Sequence, residues 1–144
     1  FKYGIDITIL DNDSSKIKTL RRSGIKAIFG DALNSETINK IDLKTTNVVI
    51  ITLLDKAKSI NLAHFIITNY PDIKLIVNAV DPEHFKKLYN CGAQQIILNT
   101  QYNSMRTSEK ALEALGESTS DINRAVKDFE LIYTGDLFRK KKSN

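Results

Sequence analysis

Apolar residues fall in two rhythms along this chain. Short apolar runs, Ile5 to Leu10, Ile25 to Phe29, Asn47 to Leu53, Ile73 to Val80 and Gln95 to Leu98, read as strands, and Asn47 to Leu53 is β-branched without alternation. Between them apolar residues recur every three or four positions, the spacing of helices that bury one stripe. The first such helix starts at a cap on Asn12 or Asp13, turns Ile17 and Leu20 inward and ends at Gly24. Asn34 opens a short helix through Ile41, and Asp55 opens a longer one to about Tyr70. Asp81, with Pro82 at the first helical position, opens another that Gly92 closes, and a further helix follows the strand ending at Leu98 and runs to Leu115, ended by Gly116.

Residues 117–120 form a polar joint, after which Asp121 is expected to cap a helix carrying Ile122, Ala125, Val126, Phe129, Ile132 and Tyr133, with Gly135 as its stop. Phe1 to Gly4 read as the tail of a helix, so the chain is expected to begin inside one. Five strands alternating with helices predict an α/β fold with right-handed crossovers, a Rossmann-like doubly wound parallel sheet. Residues 1–116 make that domain, and 117–144 are a C-terminal helix and basic tail. The run Asn47 to Leu53 predicts a strand covered on both faces. The apolar breadth of the helix after it, with Ile60, Leu62, Ala63, Phe65, Ile66 and Ile67, predicts packing against the sheet and a second subunit, or else deep packing alone.

The first two strands end alike. Ile5 to Leu10 delivers Asp11, and Ile25 to Phe29 delivers Gly30-Asp31-Ala32. In an open parallel sheet the ligand crevice lies at the carboxyl ends of the strands, so carboxylates there meet a ligand's hydroxyl or amine donors. The plainer reading is that Asp11 starts a turn and caps a helix. Lys16, Lys18, Arg21 and Arg22 read as solvated surface, and of the four only Lys16, one turn into the first helix, is also placed to reach a phosphate beside Asp11.

Composition narrows the chemistry. A chain 42% apolar and 26% charged is ordinary for one globular domain, and the net charge of +4 is spread out except for Arg139 to Lys142, so nucleic-acid binding is not indicated. Two histidines, His64 and His84, and one cysteine, Cys91, give no metal-ligand cluster, and no nucleophile elbow or phosphate-binding lysine loop is present. No apolar stretch is long enough to cross a bilayer as a helix. No catalytic constellation emerges.

The dinucleotide fold places a Gly-x-Gly-x-x-Gly turn after its first strand and an acidic residue about twenty positions later, on the ribose. The acidic residue is here as Asp11, while none of the six glycines makes the turn. The predicted sheet therefore lacks its first strand and glycine-rich turn, and in the common strand order that strand is central, so a gap is expected.

At this point the segments Ile9 to Asp13, Leu20 to Gly24, Phe29 to Ala32, Val49 to Thr52, Pro71 to Ile73, Asp81 to Phe85 and Leu88 to Ala93 carry a resemblance. Together they are similar to the RCK or TrkA-N (KTN) regulatory domain of potassium transport systems. With Leu112 to Gly116 and the helix beyond, the chain most resembles the cytoplasmic C-terminal domain of Kef-type, glutathione-gated potassium/proton antiporters. The resemblance implies a homodimeric domain on the cytoplasmic face of the inner membrane that binds an adenine nucleotide, NAD(H) or AMP/ATP, and gates an attached transmembrane antiporter. It implies ribose contact by Asp11, with Asn12 beside it, an adenine bordered by Gly30, Asp31 and Ala32, and Thr52 near the nucleotide. Glutathione-responsive members carry Asn at the place of Thr52 and Arg at that of Asn78. An Asn lacks the bidentate grip of Arg on a carboxylate, which argues against glutathione control. The alternatives are the cofactor half of a dehydrogenase, which needs a substrate domain, and a dimerisation fragment without a ligand.

Overall fold

A computed structural model describes residues 4–139, with side chains described through residue 131. Five strands form in the expected order: β1 Thr8–Asp11, β2 Lys26–Phe29, β3 Val48–Ile51, β4 Lys74–Ala79 and β5 Gln95–Leu98. The helices are α1 Ser14–Arg22, α2 Ser35–Ile38, α3 Lys56–Asn69, α4 Pro82–Asn90, α5 Asn99–Ala114 and α6 Thr119–Arg139. All ladders are parallel, but they form two sheets, β1-β2 and β3-β4-β5. No ladder joins the two sheets, as the expected gap requires; the Rossmann order would place the absent central strand between β1 and β3.

Local chemistry explains the boundaries. Asp13, not Asn12, caps α1 by accepting from the N–H groups of Ser15 and Lys16 at 2.9 and 3.2 Å. The helix closes with Gly24 at φ +76°, where Ile25 N–H reaches the Leu20 carbonyl and Gly24 N–H that of Arg21, the paired bonds of a Schellman turn. Asn34 caps α2, which is shorter than its pattern suggests and gives way to a 3-10 turn at Leu43–Thr45.

The core joins one face of the three-stranded sheet to α3 and α4. Ile51, Leu75, Val77, Ala79 and Leu98 supply the sheet side, Leu62, Ala63 and Ile66 the α3 side, and Leu88 the α4 side. The expectation that β3 is covered on both faces is overturned. Ile51 is 2% exposed, whereas Val48 and Ile50, on the opposite face, are 45% and 62% exposed. Strand register extends that open face through Ile76 to Gln95 and through Asn78 to Ile97. The reason is topological: α3 and α4 both lie on the Ile51 face, and nothing among the described residues buries Val48 and Ile50.

On α3, Ser59, Leu62, Ala63 and Ile66 are buried and Ile60 and Ile67 half-buried, while Phe65 is 37% exposed. No residue of α5 is fully buried, and α6 buries Ile122. Two expectations about α6 are also corrected. The cap is Ser118, whose Oγ accepts from Asp121 N–H at 3.2 Å and donates to the Asp121 carboxylate at 2.5 Å, so Asp121 lies in the first turn. Gly135 does not stop the helix, which continues to Arg139: one interior glycine costs only about 1 kcal/mol against alanine, and no proline follows. The expected helix tail at residues 1–3, the lysines at 140–142 and the side chains of Ile132 and Tyr133 lie outside the described residues.

Candidate functional site

Asp11 ends β1 and Asp31 follows β2 by two residues, on adjacent parallel strands. Asp11 is opposite Phe29, and Gly30 N–H donates to the Asp11 carbonyl at 3.1 Å. The Asp11 carboxylate accepts from Asp13 N–H at 2.8 Å on Oδ1 and from Lys16 Nζ at 3.3 Å on Oδ2. Asp11 therefore orders the turn into α1 without being its cap. Each carboxylate oxygen can accept twice, so it retains capacity for a hydroxyl donor. Asn12 is exposed beside it.

Asp31 accepts from Leu33 N–H at 2.9 Å and from Lys58 Nζ at 2.8 Å. The ammonium of Lys58 and the Leu33 N–H hold its carboxyl below the usual range, and Lys58 is raised in return. Gly30 is required by space: a Cβ there would meet the Thr37 side chain at 2.6 Å, and Thr37 is buried under the turn. Ala32 packs half-buried against the main core.

Thr52 follows β3 directly and is exposed, at the end of a strand in the other sheet from Asp11. Asp11, Asn12 and Lys16 thus follow the end of β1, Gly30, Asp31 and Ala32 the end of the paired β2, and Thr52 the end of β3 in the other sheet.

Sequence reasoning did not find Lys58, the side chain that ties the β1-β2 unit to α3 through Asp31. A signal was available. Lys56 and Lys58 both occupy the first turn of α3, where the helix dipole disfavours cations, and no acidic residue is there to offset them. Each finds a carboxylate elsewhere: Lys58 pairs with Asp31, and Lys56 with Asp81 just beyond β4. Asp81 also accepts from His84 N–H at 2.8 Å, and its pKa is lowered, first by Lys56 and then by that N–H. Three strand ends, those of β1, β2 and β4, therefore each carry an aspartate engaged by a lysine.

Two polar side chains, His84 of α4 and Ser59 of α3, are fully buried. The Nδ1 of His84 accepts from Val80 N–H at 3.2 Å. That bond assigns the proton to Nε2, which finds no partner among the described residues, nor does the buried Ser59 Oγ of α3. Burial pushes the His84 pKa down. Among the described residues no cluster of His, Cys, Asp and Glu suited to a metal occurs, and no helix is long and apolar enough to cross a membrane.

Known proteins resemble this chain in sequence and in fold. The potassium-efflux protein KefC of Cronobacter sakazakii, named as glutathione-regulated, is 28% identical over 136 residues, 94% of this chain and 20% of its own length. KefC of an Enterobacter species is 29% identical over 137 residues, 95% of this chain and 21% of its own. The chain thus spans about a fifth of the length of these relatives. Among solved structures, the AMP-bound C-terminal domain of a Shewanella denitrificans Kef protein superposes with a TM-score of 0.81 at 22% identity, covering 96% of this chain and 84% of that one. The TrkA-N domain of the Escherichia coli inner membrane protein ybaL gives 0.67 at 21% identity, covering 75% and 79%. These superpositions establish the Rossmann-like fold. The sequence profile of TrkA-N domains matches residues 2–99, more than half of the sequence, and the chain belongs to the TrkA-N domain family.

Proposed function

We propose that this chain is a nucleotide-sensing regulatory domain of a potassium/proton antiporter. An adenine nucleotide lies over the carboxyl ends of β1 and β2, where Asp11 accepts from ribose hydroxyls with Asn12 beside it, and Gly30, Asp31 and Ala32 border the adenine. Lys16 leaves Asp11 for a phosphate oxygen, and Thr52 faces the nucleotide from across the gap. The observation that carries this reading is an aspartate at or just beyond the carboxyl end of each of two neighbouring parallel strands, Asp11 ending β1 and Asp31 following β2, with Gly30 N–H continuing the ladder to the Asp11 main-chain carbonyl. The AMP in the Kef neighbour and the potassium-efflux relatives support the ligand class and the transport setting.

The unit acts by biasing a partner rather than by catalysis. Its partner is a transmembrane antiporter domain or subunit, which sets it on the cytoplasmic face of the cell membrane. Residues 1–116 bind, and residues 117–144 connect. A second copy packs on α3 beside Phe65. A bound nucleotide stabilises one arrangement of the pair and shifts transport by its differential affinity for the two. Glutathione is not part of this reading, because Thr52 and Asn78 replace the side chains expected to grip it.

Calorimetric titration with AMP, ATP and NADH tests the site. Asp11→Ala removes a charged hydrogen-bond acceptor worth about 1.5–3 kcal/mol, so affinity is expected to fall roughly tenfold or more. A variant that binds as tightly as the parent removes Asp11 from the site. Reconstitution with the antiporter, comparing ion flux with and without nucleotide, tests the regulatory role; unchanged flux on saturation refutes it.

A further inference from the structure

We propose that His84 is a proton-operated latch at the carboxyl end of β4: the neutral ring holds the turn into α4 closed and leaves Asp81 to Lys56 of α3, and protonation releases both.

The latch is built from a short stretch of chain. Val80 and Asp81 are the two residues between β4 and α4, and His84 lies in the first turn of the helix that Asp81 caps. The imidazole folds back on that turn. Its Nδ1 accepts from Val80 N–H at 3.2 Å, while the His84 backbone N–H donates to Asp81 Oδ1 at 2.8 Å. The other oxygen of the same carboxylate, Oδ2, receives Lys56 Nζ from the first turn of α3. His84 and Asp81 together therefore fasten the strand end, the helix cap and the neighbouring helix.

Only the neutral ring can make this set of bonds. Its single acceptor nitrogen is Nδ1, and protonation turns that nitrogen into a second donor. The imidazolium would set N–H against N–H at Val80, on a side chain that is wholly buried. A buried charge without an acceptor is strongly disfavoured, so the charged ring leaves its seat and opens the turn. The carboxylate nearest in the chain to receive it is Asp81, which already holds Lys56. Protonation thus sets two cations in competition for one carboxylate and loosens the tie to α3.

The charges around the ring fix the direction of control. Burial opposes protonation most, Asp81 favours it, and Lys56 of α3 and Lys87 of α4 oppose it. Glu83 of α4 is occupied by Lys87 at 2.8 Å, and Ser59 of α3 is buried but carries no charge. The latch is therefore shut at neutral pH and opens below the usual histidine range. The device needs neither the nucleotide nor the antiporter of the reading above, and it stands or falls without them.

Amide exchange of the 144-residue chain tests it, followed by NMR between about pH 8 and pH 5, where histidine changes charge, and corrected for the intrinsic pH dependence of exchange. Val80 is expected to lose protection by about tenfold or more as the His84 ring titrates, while Val77 in the middle of β4 keeps its own. Val80 protection that stays constant over this range, or that falls only together with Val77, overturns the proposal. Lys56→Met removes a cation that opposes protonation and competes for Asp81, so the ring titration and the Val80 loss should both move to higher pH. A Val80 midpoint that does not move overturns the coupling to α3. His84→Asn sets an amide oxygen near the place of Nδ1 and does not titrate; with Val77 protected, its Val80 protection should be independent of pH, and a loss like that of the parent overturns the role of His84.

Discussion

Ile50 and Ile51 are the same residue type in consecutive positions of one strand, and the fold assigns them opposite fates. Ile51 is 2% exposed against α3, so Ile51→Ala removes nearly a full side chain of buried surface and leaves a cavity, at a cost of about 2–5 kcal/mol. Ile50 is already 62% exposed. Only its buried remainder is lost in Ile50→Ala, roughly 1 kcal/mol when scaled from the transfer energy of a whole side chain. Both variants keep the strand's backbone and differ only in face. Urea unfolding followed by circular dichroism measures the two, with the slope checked for constancy so that the midpoints report stability. For a domain stable by about 5–15 kcal/mol the difference is easily resolved. Equal losses in the 144-residue chain would refute the one-sided core.

Other substitutions test the site's framework. Gly30→Ala drives a Cβ into the buried Thr37 side chain and is expected to cost about 1–3 kcal/mol in the same urea assay; Gly30→Ala with Thr37→Ser should recover part of it, and an unchanged midpoint for the single variant refutes the close packing. Lys58→Met removes the ammonium that holds Asp31 low, so the Asp31 carboxyl should titrate higher by NMR than in the parent; an unmoved titration means that the Lys58 contact is not populated. His84 is neutral in the fold and its pKa is depressed, so the unfolded chain takes up the proton first. The stability from burying neutral His84 is present above the unfolded value near 6.5 and declines as pH falls from there towards the folded value. Unfolding midpoints measured across that window should show His84→Phe losing less than the parent, and parallel profiles would refute the assignment.

Much of the fold is written in local chemistry. The β-branched runs, the capping residues Asp13, Asn34, Asp55 and Asp81, and glycines such as Gly24 act within a few residues of themselves, so the order of elements and the position of Asp11 and Asp31 at strand ends can be read from sequence alone. Even the gap is legible, because it follows from a glycine-rich turn that is absent before an acidic strand end. Helix extent at Gly135 was misjudged because one unfavourable residue is outweighed by the helical residues on either side of it.

What the tertiary structure decided is everything that depends on which elements meet. The β3 sequence is apolar on both faces and gives no sign that only the Ile51 face is covered; that depends on α3 and α4 sharing one side of the sheet. Lys58 and Asp31 are 27 positions apart, and nothing local pairs them until the crossover brings the start of α3 to the end of β2. His84 reads as an ordinary first-turn residue until packing buries it with Nε2 unpartnered among the described residues. Local patterns are set by short-range sterics and hydrogen bonds that each segment carries with it, whereas burial and ion pairing across the chain exist only once distant segments have been placed together.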